Sequence, residues 1–416
     1  MPSNDTYSSH RLACGAQFAA LQLPGRHTVS FQIRVMAGLA DEPADKLGIA
    51  GIVEQTLRKG TQNKSARELA DAFDTIGVQT GGGVGRQSTV YRCTCLPEYL
   101  DEALALHAEM LGQPSFPEDF CKVGVELTLQ ELTALEDDPQ ELTSKLIAPH
   151  AFGAQLGRHE LGERETVGSI TRDDLLVYWQ QHYHRQKLQI TVAGDVDVKQ
   201  FASMADQHFA KLGDDGERSV AEYDVAFGPG VRHREKDQEQ EHIVMCWPGV
   251  APADPAYTTE KLLLTILGGG MSSRLFTEVR EKQGLVYWVG AWSEHPRGAG
   301  MMFVGASTTP ARCDQTARTL LREVDRLAED IEEDELQRAK VSVLAKMQTH
   351  GEITRGRLNE LSGDLFHLGH PIEIEEKQRR INAVTVEDIR QYLAAHPRDR
   401  LCVQTLGPRA LEEFQA

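Results

Sequence analysis

The side chains that could bind a metal or act as nucleophiles are 15 histidines and seven cysteines, and their spacing narrows what they can do. Zinc hydrolysis wants three protein ligands and an open fourth position. Neither HExxH nor its inverse, HxxEH, occurs in the chain. His182 with His184, and His367 with His370, are short pairs without a carboxylate in pattern, which reads as surface or capping histidine. Cys93 and Cys95 would share one face of an alternating stretch, residues 89–96, as core thiols rather than a metal pair. An odd number of scattered cysteines fits reduced intracellular thiols better than a disulfide framework. There is no GxSxG elbow and no GxxxxGK[ST] loop, which removes the commonest serine nucleophile and the commonest phosphate cradle. The glycine-rich residues 81–85 precede a strand-like stretch, where phosphate binding would want a helix, so a hairpin turn or a rim is expected there. Gly268, Gly269 and Gly270 do precede a helix, expected over 272–281, but no dinucleotide fingerprint accompanies them.

The elements that would position such groups alternate along the chain. Residues 28–37 (TVSFQIRVMA) read as a strand. Residues 47–59 carry a helical stripe, Ile49, Ile52, Val53 and Leu57, with Gly60 as the stop. Ser65 and Glu68 form a capping box for the next helix, and residues 78–96 read as a hairpin. Helices follow at 97–111 and from about 117 to 135, before the turn Asp137-Asp138-Pro139. An internal echo then appears. Thr171 opens a capped helix followed by the strand LQITVAG, and Thr385 opens another followed by LCVQTLG. The two threonines lie 214 positions apart and the closing glycines, 194 and 407, lie 213 apart. That spacing predicts a duplicated α+β domain of about 200 residues. The expected division is 1–213, a polar and charged linker at 214–241, and 242–416.

The chain has 416 residues, a formal charge of −18 and 40% apolar residues, a composition suited to more than one buried core. An acidic balance disfavours nucleic acid or an anionic membrane as main partner. No apolar run reaches transmembrane length, and the polar residues 1–10 lack the pattern of a secretory signal, so a cytoplasmic location is expected.

Residues 47–61 (LGIAGIVEQTLRKGT) resemble the active helix of the pitrilysin/insulinase zinc peptidases, the family that includes mitochondrial processing peptidase, where it reads roughly GLAHFLEHMLFKGT. The resemblance continues through 91–111, 131–142 and 170–195, and in the second half through 267–287. It implies two homologous α+β domains forming half of a clam-like chamber that admits unfolded peptides and excludes folded proteins. In the family, two histidines at i and i+4 bind zinc, and the glutamate before the second is the general base. Those positions here are Gly51, Glu54 and Gln55. The family's third ligand falls on Glu131, and its companion glutamate on Gly124. With one ligand of three retained, no metal is expected in this chain.

The second half keeps what the first has lost. Residues 268–287 (GGGMSSRLFTEVREKQGLVY) resemble the family's second-domain signature, in which an arginine and a tyrosine hold the substrate or its transition state. Here they are Arg280 and Tyr287. A guanidinium and a phenol can both donate to a peptide carbonyl as it gains negative charge. The combination resembles the non-zinc subunit of two-chain bacterial members. It implies a heterodimer in which a homologous HxxEH-bearing partner supplies zinc and base, this chain supplies Arg280 and Tyr287, and unfolded peptides are the substrates. The alternative is a catalytically inactive homodimeric peptide-binding or scaffold protein of the same family. A stand-alone enzyme with a metal site rebuilt around Glu54 and Glu131 would lack histidines where they are needed.

Overall fold

Alternating apolar residues make the strands of two sheets, and helices with one apolar stripe cover them. The computed structural model describes residues 5–214, 221–398 and 400–412. The first half opens with strands β1 (Thr6–Arg11), β2 (Gln17–Gln22) and β3 (Val29–Val35), then helices α1 (Ile49–Leu57) and α2 (Ala66–Thr75). Strands β4 (Gln79–Val84) and β5 (Thr89–Cys95) follow, then helices α3 (Leu100–Gly112), α4 (Glu118–Leu135) and α5 (Pro139–Leu156). Helices α6 (Arg164–Gly168) and α7 (Arg172–His182), strand β6 (Leu188–Gly194) and helix α8 (Val198–Phe209) complete it. The second half runs β7 (Gly230–Glu235), β8 (Glu241–Gly249), α9 (Tyr257–Gly268), a π-helical turn (Phe276–Lys282), β9 (Val286–Glu294) and β10 (Gly300–Thr308). It ends with α10 (Cys313–Asp330), α11 (Glu333–Gly351), α12 (Thr354–Leu368), α13 (Ile374–Ala383), α14 (Val386–Ala395) and β11 (Cys402–Gly407). The class is α+β. No helix among the described residues is long and apolar enough to cross a membrane.

The two sheets have the same wiring. One is ordered β1-β2-β6-β3-β5-β4 and the other β7-β11-β8-β10-β9. In each, one parallel pair (β2 with β6, β7 with β11) sits beside antiparallel neighbours. The echo in the sequence also extends further than its caps. Thr171 and Thr385 both close capping boxes with an aspartate, Asp174 and Asp388. One turn on, Tyr178 packs on His182 at 4.5 Å and Tyr392 on His396 at 4.6 Å, again 214 positions apart.

The structural units are not the contiguous blocks 1–213 and 242–416. The first unit takes residues up to 134, 158–223 and 350–372; the second takes 135–157, 224–349 and the remainder. The exchanged pieces are α5, which packs on β8 and β11, and α12, which packs on β2, β3 and β6. Every residue of β6 and of β11 is buried, so each sheet needs cover on both sides. On the first sheet, Leu358, Leu361 and Leu365 of α12 insert among Ala19, Leu21, Leu23 and Ala193. Ser362 of the same helix accepts from Gln32 at 2.5 Å and from Arg34 at 3.2 Å, and the Arg34 guanidinium lies 4.5 Å over the Phe366 ring.

Other local expectations change as well. Residues 230–235, inside the stretch read as a linker, form the edge strand β7, whose charged sequence GVRHRE suits a strand with one unpaired edge. Residues 215–220 of that stretch lie outside the described residues. Gly81, Gly82 and Gly83 belong to strand β4 rather than to the hairpin turn, which comes later, where Gly85 N donates to Ser88 O at 2.8 Å. Leu361→Ala is expected to cost about 2–5 kcal/mol of unfolding free energy, because it opens a cavity between α12 and the first sheet. The exposed neighbour Asn359→Ala is expected to change it by less than about 0.5 kcal/mol. Urea unfolding of both variants measures the difference; equal midpoints would show that α12 does not hold the sheet.

Candidate functional site

Helix α1 carries the degenerate zinc-motif positions, and its start is set by a buried carboxylate. Glu42 accepts from the backbone N–H of Gly48 at 3.1 Å and of Ala50 at 3.0 Å, satisfying donors that a helix start leaves orphaned. Burial, opposed by those two hydrogen bonds, pushes the Glu42 carboxyl up to about 7. Gly51 and Gln55, at i and i+4, share one half-buried face of α1.

Glu54 lies elsewhere on the helix and is buried. Its carboxylate is paired with Arg58 one turn on. The pair lies against the backbone of Gly82 in β4, where a Cβ would collide with both side chains. Only a glycine in this edge strand leaves room for it. Beside them the hydroxyls of Tyr91 and Tyr183 are hydrogen-bonded at 2.9 Å. Burial first, then Tyr183 and the Glu54 charge, hold the Tyr91 phenol well above its ordinary range. Helix α4 crosses α1 at Gly124, where a Cβ would stand 3.2 Å from Ile52 Cγ2 and 3.6 Å from Thr56 Oγ1. Glu131, farther along α4, is exposed and makes no ion pair among the described residues.

These residues do not fit a zinc ion. Gly51 has no donor atom, Gln55 offers a neutral amide, and Glu54 is engaged by Arg58. Among the described residues no three His, Cys, Asp or Glu side chains converge as a metal site.

Arg280 and Tyr287 are brought together in the second unit. The segment expected as a helix over 272–281 is instead a π-helical turn, Phe276–Lys282, and it begins after an anchored arginine. Arg274 is buried and holds Glu335 through two hydrogen bonds of 2.8 and 2.6 Å and Asp330 through one of 2.5 Å. The turn closes at Gly284, whose φ of +57° favours glycine; Gly284 N donates to Arg280 O and Leu285 N to Val279 O, both at 3.0 Å. Thr308 Oγ1 donates to Leu285 O and Arg312 Nη1 to Gly284 O, both at 2.7 Å, fixing the link from the turn to β9. The Arg280 guanidinium then sits 5.0 Å over the Phe276 ring and 5.4 Å over the Tyr287 ring. It makes no ion pair among the described residues, although Glu278 is near in sequence, because Glu278 pairs with Lys282 at 2.6 Å. Ring contacts occupy the faces of a guanidinium and leave its in-plane N–H groups available to an acceptor. Tyr287 is 79% exposed, so its hydroxyl is available too.

Sequence reasoning missed Arg58, Phe276 and Glu42. The i,i+4 spacing of Glu54 with Arg58, and of Phe276 with Arg280, was a readable signal; the Glu42 contact follows from a loop path and was not.

Two family models match the chain: one described as Insulinase (Peptidase family M16) over residues 17–164, and one described as Peptidase M16 inactive domain over residues 169–343. The chain belongs to the insulinase (M16) peptidase family. Among curated members of that family's kind, an uncharacterized zinc protease of Rickettsia bellii is 28% identical over 415 residues, covering 99% of this chain and 100% of its own. The uncharacterized zinc protease YmxG of Bacillus subtilis is 27% identical, covering 88% of this chain and 90% of its own. Among solved structures, a peptidase M16 inactive domain from Pseudomonas fluorescens matches with a TM-score of 0.90 at 21% identity, over 98% of this chain and 100% of that one. A protease from Helicobacter pylori matches with a TM-score of 0.89 at 18% identity, over 97% and 100%. At those identities the structures establish the M16 fold.

Two measurements check this account of the site. The folded Glu42 carboxyl titrates near 7, above the 4.5 of an unfolded glutamate, so its stabilising contribution is full below 4.5 and lost as pH rises through 7. Replacing it in Glu42→Gln should flatten the fall in stability between those pH values by up to about 3 kcal/mol, read from urea unfolding at a series of pH values. An unchanged profile would mean that Glu42 does not carry that proton. Separately, a Cβ at Gly51 would meet only Glu160 O, at 3.5 Å, so histidine is accommodated there. Gly51→His combined with Gln55→His is expected to retain about one zinc per chain after dialysis, where the parent retains none. A folded double variant without zinc would count against assigning these positions to the metal ligands.

Proposed function

We propose that this chain is the non-zinc subunit of a two-chain zinc metalloendopeptidase that acts on unfolded peptides. The observation that carries the reading is the Arg280–Tyr287 pair: an arginine without a carboxylate partner among the described residues, set against an exposed phenol. A structural arginine is ordinarily paired, as Arg274 is here with Asp330 and Glu335. A half-buried guanidinium and an exposed phenol side by side suit a peptide carbonyl that gains negative charge during hydrolysis. The first unit supports the same assignment from the other side, since Gly51 and Gln55 offer no zinc donors and Glu54 is neutralised by Arg58. A homologous HxxEH-bearing subunit would therefore supply the zinc and the base, while Arg280 and Tyr287 bind and orient the scissile peptide.

Mixing the purified chain with its HxxEH-bearing homologue is expected to produce peptide cleavage that neither chain shows alone. Arg280→Ala in this chain should lower kcat/KM about 100-fold or more, as loss of a donor to a developing oxyanion does, with Tyr287→Phe also impaired. Cleavage that is unaffected by Arg280→Ala, or full activity of the partner alone, would defeat the proposal.

A further inference from the structure

The face of the second sheet beyond α5 carries an aromatic cleft separate from the Arg280–Tyr287 pair. Along β9, Val289 and Ala291 pack toward the core while Trp288, Gly290 and Trp292 stand on the opposite face. Trp292 lies parallel to Phe303 of β10, 5.4 Å away with 5° between the ring planes, and Trp288 tilts against Trp292 at 6.2 Å. Two glycines give the indoles their place. A Cβ at Gly305 would stand 3.0–3.1 Å from both rings, and one at Gly290 3.3 Å from Trp288. With Val244, His242 and the polar residues of α5 between Gln140 and Ser144, the indoles line a cleft of about 220 Å³. Both remain half-exposed, although an indole is a large apolar group to leave in water.

We propose that this cleft is a subsite for one aromatic side chain of the bound peptide, a reading that rests on the peptide-binding role proposed above and names the residue class it selects. Size argues for a single side chain, because 220 Å³ is below the volume of an ordinary small-molecule pocket and far below that of a docked helix. The lining argues for an aromatic ring: two indoles, one of them stacked on Phe303, present ring planes against which offset or edge-on stacking is favourable, and His242 and α5 form a polar rim. Position argues for the peptide. Trp288 follows Tyr287 directly in β9, an edge strand, where a bulge at Tyr287 interrupts the pairing with β10. A peptide that reaches Tyr287 along this edge therefore passes within one residue of the indoles.

The test uses the full chain and two fluorescein-labelled unfolded peptides that differ only by Phe or Ala at one position, with binding read by anisotropy. The Phe peptide is expected to bind about ten-fold tighter. Trp288→Ala, and Ser144→Trp as a plug on the exposed helix face, should each reduce that preference to about two-fold or less without weakening the Ala peptide. Arg280→Ala should weaken both peptides alike. Equal binding of the two peptides, or a preference that survives both cleft variants, would overturn the subsite. If Arg280 still mattered in those cases, the peptidase-subunit reading would stand without it. Absence of binding by either peptide would overturn both. Dissociation of a self-associated chain by Trp288→Ala, measured by sedimentation, would assign the cleft to a second copy and overturn the proposal as well.

Discussion

A sheet buried on both faces has to be covered twice, and a helix is too narrow to cover six strands. In the first unit α1, α3, α7 and α8 supply residues to the core on one face, while α12 alone lies on the other, over β2, β3 and β6. In the second unit α9, α10 and α14 supply one face and α5 lies on β8 and β11 of the other. Neither helix makes its main contacts with the edge strands β4 and β9. It is at those edges that the chain places its unusual residues. Gly82 admits the Glu54–Arg58 pair at one, and Tyr287, Trp288 and Trp292 stand at the other.

The two edges handle charge in opposite ways. At β4 a buried carboxylate is neutralised within its own helix, and tyrosine hydroxyls close around it. Its charge is therefore satisfied internally, as burial of a carboxylate requires. Beside β9 a guanidinium is held by ring faces and keeps its donors unspent. Phe276 and Arg280 meet across a π-helical turn, whose wider i→i+5 closure brings residues four apart closer to alignment; such turns recur at functional sites. The same duplicated frame thus carries a neutralised carboxylate in one copy and an available cationic donor in the other.

Much of this frame was legible because the signals were local. The stripe Ile49, Ile52, Val53 and Leu57 gave helix α1, and Ser65, Thr171 and Thr385 gave helix starts through side chains that bond within three residues. The M16 resemblance rested on the same helix and on the stretch ending at Tyr287. What was not legible depended on distant partners. Nothing near Leu358, Leu361 and Leu365 indicates that they pack on β2 and β6. The glycines of β4 read as a turn because the role of Gly82 among them, clearance for Glu54 and Arg58, comes from another element. β7 read as linker because an edge strand paired on one side only need not be apolar. Arg280 and Tyr287 were singled out from the sequence and lie side by side in the structure, whereas the Phe276 ring that holds the arginine was not singled out.

The exchange of α5 and α12 also sets the order in which the molecule can be finished as it is made. Synthesis proceeds from the N-terminus, and domains generally fold as their last parts emerge. The first unit has all its strands by residue 194, yet the helix that covers their second face begins at residue 354. By then β7, β8, β9 and β10 of the second unit have already been made. The second unit receives its borrowed helix early and waits for α13, α14 and β11. The nascent chain therefore carries one uncovered face of its first sheet from residue 194 until α12 emerges, and a ribosome that stalls before residue 354 would release a product whose first unit cannot close.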